Sequence, residues 1–204
     1  MTTDIKQKLN EIRRSLPLRW ETPETWTTLA LGDLNSFLAD HASCERKAGA
    51  AALMLANRYP EYPELQDRMI GLAIEELQHF HQVFKLLKQR NIPLPNDDVD
   101  PYVKALLTHV RHPRHEHLLD RLLVAAMIEA RSCERFCMFT SALPAGDLKT
   151  FYTDFSLAES AHVPLFIKTA ELFFPVQDVS NRLSTWMDIE AKAAQSTPLA
   201  PRIH

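Results

Sequence analysis

The chain has almost no glycine, too few cysteines for a disulfide framework, no long apolar run and no excess of positive charge. Each shortage narrows what it can be. Four glycines among 204 residues, against abundant Ala, Leu, Glu, Lys and Gln, favour helices. No run alternates convincingly with period two, so the expected fold is all-α. Cys44, Cys133 and Cys137 are an odd and sparse set. They read as free thiols of a reducing cytoplasm, and the last two, one helical turn apart, do not suit an unstrained disulfide. No apolar stretch approaches the ~18 residues that span a bilayer. Met1-Thr2-Thr3-Asp4-Ile5-Lys6 lacks the basic-then-apolar pattern of a signal peptide. No membrane partner and a cytoplasmic location are therefore expected. A formal charge of −3 gives no global signature for nucleic acid, so any RNA contact must rest on a local patch.

What the chain does have is the spacing Glu-x-x-His, twice, at Glu76/His79 and Glu159/His162. A three-residue step puts both side chains on one face of a helix. Each pair interrupts an otherwise mostly apolar stripe: Leu65, Met69, Leu72, then Val83 and Leu86 around the first, and Tyr152, Phe155, then Phe166 and Phe173 around the second. Such stripes face the core of a bundle. Buried charges there cost several kcal/mol each after relaxation unless compensated, as they would be by a pair of divalent metal ions. Carboxylate bundles with two metals add one further Glu from each of two other helices.

Taken in order, residues 4–16 read as a short amphipathic helix ending at Pro17. Thr22-Pro23-Glu24 looks like the start of a long helix over about 23–58. Its stripe runs through Leu31, Leu38, His41, Glu45, Ala52 and Tyr59, so Glu45 supplies one of the missing acids. A second long helix follows Pro63 and ends near Arg90. Residues 91–116 form a long crossover, with a short helix around Val103–Val110. Long helices over about 117–142 and 147–174 and a last one over about 179–195 complete a single domain spanning 1–204. A crossover between the second and third long helices fits a ferritin-like four-helix bundle, core about 23–174, with extra short N- and C-terminal helices.

The fourth acid is Glu129 or Glu134. The repeat of Ser43-Cys44-Glu45-Arg46 in Ser132-Cys133-Glu134-Arg135 favours Glu134. Height favours Glu129. Glu45 lies 14 residues before Tyr59 and Glu76 lies 13 after Pro63; Glu129 lies 14 before Leu143 and Glu159 lies 12 after Asp147. At ~1.5 Å per residue those acids are level, whereas Glu134 is about a helical turn too close to its connection. Glu129 also falls on the seam Leu122, Ala126, Cys133, Phe136, and the reading takes it. Glu45, Glu76, His79, Glu129, Glu159 and His162 then form the metal set. Four carboxylates balance two divalent ions, and thiolate-free ligation suits iron, with manganese as the alternative. His41, one turn before Glu45, is either a partner that orients it or a satisfied core histidine. Pro164 removes the amide bond to Ser160 and should kink the helix beside His162. Tyr152 and the cysteines beside the ligands read as core.

The segment Asp40-His41-Ala42-Ser43-Cys44-Glu45-Arg46-Lys47-Ala48, with Pro23-Glu24-x-Trp26, Glu75-Glu76-Leu77-Gln78-His79-Phe80 and Ala158-Glu159-Ser160-Ala161-His162, resembles the MiaE family of tRNA hydroxylases. The resemblance spans about residues 20–190. It implies a non-haem di-iron monooxygenase that uses dioxygen and external electrons. Its target would be the isopentenyl group of 2-methylthio-isopentenyl-adenosine beside the tRNA anticodon, and its ligands the same six residues. No flavin, nicotinamide or iron–sulfur motif is evident, so a separate reductase is the expected electron donor. The densest basic segment, Arg111-His112-Pro113-Arg114-His115, makes Arg111 and Arg114 the candidates for RNA phosphates; an exposed loop leading into a helix is the plainer reading. Two alternatives share the ligands or dispense with them: a ferritin-like iron oxidase, storage protein or other di-iron or di-manganese oxidoreductase, and a metal-free bundle.

Overall fold

The computed structural model describes residues 2–96 and 99–204. Among them are nine helices and no strand: α1 (Thr2–Ser15), α2 (Thr25–Gly32), α3 (Leu34–Arg58), α4 (Pro63–Gln89), α5 (Pro101–Leu107), α6 (Arg114–Ala142), α7 (Asp147–Glu159), α8 (His162–Ala170) and α9 (Val176–Ser196). None is long and apolar enough to cross a membrane. The chain divides into two compact units. One comprises Met1–Leu31, Val99–Ala200 and His204; the other comprises Gly32–Asp98 and Pro201–Ile203.

The second unit is a hairpin of α3 and α4. The helix expected over 23–58 is in fact two, because Asp33 restarts the chain. Its carboxylate accepts from the Ser36 amide at 3.0 Å and the Ser36 hydroxyl at 2.7 Å, an N-cap that satisfies the first turn of α3. Thr22, the expected cap, is engaged elsewhere: its amide and hydroxyl donate to Glu134 at 3.0 and 2.6 Å. Leu31 consequently leaves the stripe and is exposed, while Leu38, His41, Glu45, Ala52, Leu55 and Tyr59 are buried. Pro63 opens α4, where its missing N–H costs nothing. The buried face of α4 runs Leu65, Met69, Leu72, Glu76, His79, Val83 and ends at Leu87, one residue beyond the expected Leu86. Gly49, one turn after Glu45, lets the two helices approach beside that face. A Cβ on it would stand 3.3 Å from Leu77 Cγ and 3.4 Å from Glu76 Cβ.

The first unit is built around α6. Every residue from Glu129 to Thr140 is buried, so this stretch has no solvated side. Leu9 of α1 packs on Cys133 and Cys137, with Ile5, Ile12 and Leu16 around them. The three charged residues after Glu129 are tolerated because they are paired. Arg131 reaches Glu190 of α9 through Nε at 2.8 Å and Nη2 at 2.9 Å, donates to the Trp20 carbonyl at 2.9 Å, and pairs with Glu134. Arg135 lies over the Trp26 ring. The helix expected over 147–174 is interrupted between Glu159 and His162. Pro164 cannot donate to the Ser160 carbonyl, and Ala161 N–H turns instead to Ala158 O at 3.0 Å. The ladder resumes with Leu165 N–H to Ala161 O.

The crossover carries α5, shorter than expected. Asp100 caps it, accepting from the amides of Tyr102 and Val103 at 2.9 and 3.1 Å. The same carboxylate pairs with His204 Nδ1 at 3.1 Å, whose ring stacks on Tyr102. Burial pushes the Asp100 carboxyl up, but the His204 hydrogen bond and charge and then the two amides outweigh it, holding it at about 2. A carboxyl held below its unfolded value stabilises the fold above that value, near pH 4, and loses the contribution as pH falls toward 2. Asp100→Asn should cost roughly 2 kcal/mol at pH 7. Urea midpoints of the two proteins should converge between pH 4 and 2. A constant gap across that range would show that Asp100 acts through packing alone.

Candidate metal-binding clusters

The second unit carries the first cluster. Glu45 comes from α3, and Glu76 and His79 lie one turn apart on α4; all three are buried. One ligand atom from each lies within 4.8 Å of the others. His79 Nδ1 stands 3.7 Å from Glu45 Oε2 and 3.8 Å from Glu76 Oε2. Behind Glu45, fully buried His41 places Nε2 3.1 Å from Oε1. Burial, then repulsion from His79, lowers His41 to about 3 against the opposing pull of Glu76. The ring is therefore neutral at pH 7.

The first unit carries the second cluster. Glu129 projects from the middle of α6, Glu159 closes α7 and His162 opens α8. His162 Nδ1 lies 3.1 Å from Glu159 Oε2 and 3.7 Å from Glu129 Oε2, and one ligand atom from each residue lies within 4.8 Å of the others. Cys133, one turn after Glu129, has its thiol raised well above the ordinary range by the Cys137 hydrogen bond, then by burial and the negative charges of Glu159 and Glu129.

Both clusters therefore hold two carboxylates and one imidazole, all buried and mutually close. This donor set of hard oxygens and imidazole nitrogen, free of thiolate, fits iron or manganese. Buried like charges at this spacing are what a cation would offset.

The rival acid Glu134 faces the other way. Its oxygens take the Thr22 amide and hydroxyl and the Arg131 guanidinium. Sequence reasoning missed this network, although Arg131 stands one turn before Glu134 in an apolar helix and so signalled a buried pair. Tyr152 packs edge-on against Phe139 and Phe151, as a core residue does. Arg111 is bound to Asp120 through Nε, Nη2 and its own amide at 2.8, 2.9 and 2.9 Å. Arg114 is exposed at the start of α6.

An all-helical chain with paired Glu-x-x-His clusters of this composition is a ferritin-like carboxylate protein. The fold is shared with a solved structure, a Synechococcus protein described as having aldehyde deformylating oxygenase activity, at a TM-score of 0.86 and 34% identity over 92% of this chain and 94% of that one. Residues 8–204 match the family model of tRNA-(MS[2]IO[6]A)-hydroxylase, MiaE, and the chain belongs to that family. Two curated relatives are named tRNA 2-(methylsulfanyl)-N(6)-isopentenyladenosine(37) hydroxylase. The one from Pseudomonas putida is 35% identical over 90% of this chain and 89% of its own length. The one from Salmonella typhimurium is 29% identical over 92% and 87%.

Proposed function

We propose that the chain is an O2-dependent di-iron monooxygenase that hydroxylates the isopentenyl group of 2-methylthio-isopentenyl-adenosine in tRNA. The observation that carries this is the repeated buried Glu–Glu–His cluster in a chain that matches the tRNA hydroxylase family over residues 8–204. Glu45, Glu76 and His79 would hold iron in one cluster, and Glu129, Glu159 and His162 would hold iron in the other. When bound, two irons supply dioxygen activation. His41, with Nε2 3.1 Å from Glu45 Oε1, would help to position that carboxylate. All six side chains are buried, and an enclosed site would keep bulk water from the reacting carbon.

The overall change consumes one O2, two electrons and two protons, inserts one oxygen into a C–H bond and releases water. The electrons come from a separate reductase. The substrate is presented from the anticodon loop with its modified base out of the stack, as enzymes acting on bases require. Its location is the cytoplasm, where the tRNA is. Arg111 is tied to Asp120 and so is a poor candidate for phosphate, while Arg114 is exposed at the start of α6.

Reconstituted without oxygen, the protein should bind about two Fe(II) per chain, the stoichiometry of a carboxylate bundle. With dioxygen and an electron source, tRNA bearing the modified adenosine should then yield a nucleoside heavier by one oxygen. Full iron loading without any oxygenated nucleoside would instead favour another ferritin-like oxidase. An aldehyde substrate, as in the Synechococcus protein's description, is the first to try. Failure to bind iron would remove the site itself.

A further inference from the structure

The first unit has a cavity that neither metal cluster uses. It measures about 360 Å³ and is bounded by the first turns of α6, the Phe174-Pro175 connection and α9. Its floor is apolar: Leu119 and Phe174 are buried, and the exposed His115 ring sits 4.4 Å from the Phe174 ring. Two guanidiniums in the lining are held in place. Arg111 and Arg182 both give Nε and Nη2 to Asp120, a grip that does not use the Nη1 donors. The rest of the lining has the opposite polarity. Glu116 and Asp178 accept, while Asn181, whose side-chain oxygen already takes Gln177 at 2.9 Å, keeps an NH2 group to donate.

This composition selects the ligand. Glu116 and Asp178 lie in the first turns of α6 and α9, where an acid is favoured in any helix, so by themselves they mark nothing. Their effect on the cavity is nonetheless decisive. With Asp120 they set three carboxylates against two guanidiniums, and such a cavity does not draw a phosphate. What suits it is a neutral planar group with an apolar face and an edge bearing both donors and acceptors. A nucleobase has that make-up, and unstacked bases are held on aromatic rings and read along their edges in this way. Position agrees with this. Leu119 and Glu116 precede Glu129 on α6 by ten and thirteen residues, so the cavity lies roughly 15–20 Å along the helix from that residue. At ~3.4 Å per stacked nucleotide this is about four to six steps of one strand.

We propose that this cavity takes an unpaired base of the RNA, a few nucleotides from the one that is hydroxylated, with His115 as its stacking surface and Asn181 as an edge contact. That the base comes from tRNA rests on the hydroxylase reading above. Fluorescence anisotropy of tRNA carrying the modified adenosine, over a range of salt concentrations, tests the site without relying on turnover. His115→Ala and Asn181→Ala, both at exposed positions outside the Asp120 junction, should each weaken binding about tenfold, within the range for one stacked or edge-read base. The slope of log affinity against log salt should stay that of the parent, because no phosphate contact is removed. His115→Phe should bind like the parent, since any aromatic ring offers a stacking face. Circular dichroism would check that each variant is folded. Tight binding by the parent with both alanine variants unchanged would overturn the base site and leave the hydroxylase reading standing. So would a shallower salt slope shared by His115→Ala and His115→Phe, the mark of a phosphate contact. A parent that does not bind tRNA would overturn both. Binding that depends on His115 and Asn181 without any hydroxylation would uphold the site and overturn only the activity.

Discussion

Glu129→Ala should leave a folded protein that binds about one iron instead of two, with hydroxylation lower by ~100-fold or more, since losing even a partner behind a ligand costs 10–100-fold. Glu129 points at His162 from the centre of α6, with its oxygen 3.7 Å from the ring nitrogen, and the shorter alanine cannot reach that space. Glu134→Ala should do something quite different. Its carboxylate is spent on Thr22 and Arg131, so iron loading and turnover per folded molecule should stay near the parent values. Stability should fall by a few kcal/mol, because Arg131 remains buried with Glu190 alone to balance it. Iron content per chain, activity and a thermal melt on both variants separate the roles. Loss of iron from Glu134→Ala with Glu129→Ala unaffected would show that the Ser-Cys-Glu-Arg repeat, and not helix height, marks the ligand.

The second large effect concerns Asp120, which belongs to neither cluster. This fully buried carboxylate takes six donors: the amide, Nε and Nη2 of Arg111, the Nε and Nη2 of Arg182 at 2.6 and 2.8 Å, and the indole N–H of Trp186 at 3.3 Å. Burial alone would raise its pKa, but the hydrogen bonds from Arg111 and Arg182 win and hold it well below the usual carboxylate range. Its contribution is therefore present at all pH values above the ordinary carboxylate range and is surrendered only in strong acid. Asp120→Ala should cost ~3–5 kcal/mol, the range for breaking a buried pair by removing one partner. The melting temperature should drop on the order of 10 °C for a chain of this size. A shift of no more than ~2 °C would mean that Arg111 and Arg182 find solvent without loss. The same variant cautions against reading Arg111 substitutions as RNA contacts, because they break this junction too.

The sequence was most legible where one period dominated. The stripes around Glu76 and Glu159 run for several turns, and the buried faces of α4, α7 and α8 follow them. The choice of Glu129 over Glu134 could be argued because rise per residue is fixed, so height is countable from the connections. The structure places Glu129 beside His162 and gives Glu134 to Arg131. What could not be read depends on partners far away in sequence. Thr22 looked like a cap because local propensity favours it, yet its hydroxyl belongs to an acid on α6. Asp33 lies off the apolar stripe, and its two local hydrogen bonds from Ser36 cap a new helix there. Arg111 read as a solvated cation, since nothing in a one-dimensional pattern shows that Asp120 waits nine residues on with Arg182 at its other side.

The two Glu-x-x-His motifs, identical as strings of letters, differ as mechanical parts. Glu76 and His79 ride on an unbroken rod, so the spacing between them is as stiff as the helix. Glu159 and His162 straddle the seam between two rods joined through Ser160 and Ala161, where Pro164 has removed a strut. The bearing of His79 to Glu76 is thus set by continuous helix, while that of His162 to Glu159 is set by the joint at Ser160 and Ala161.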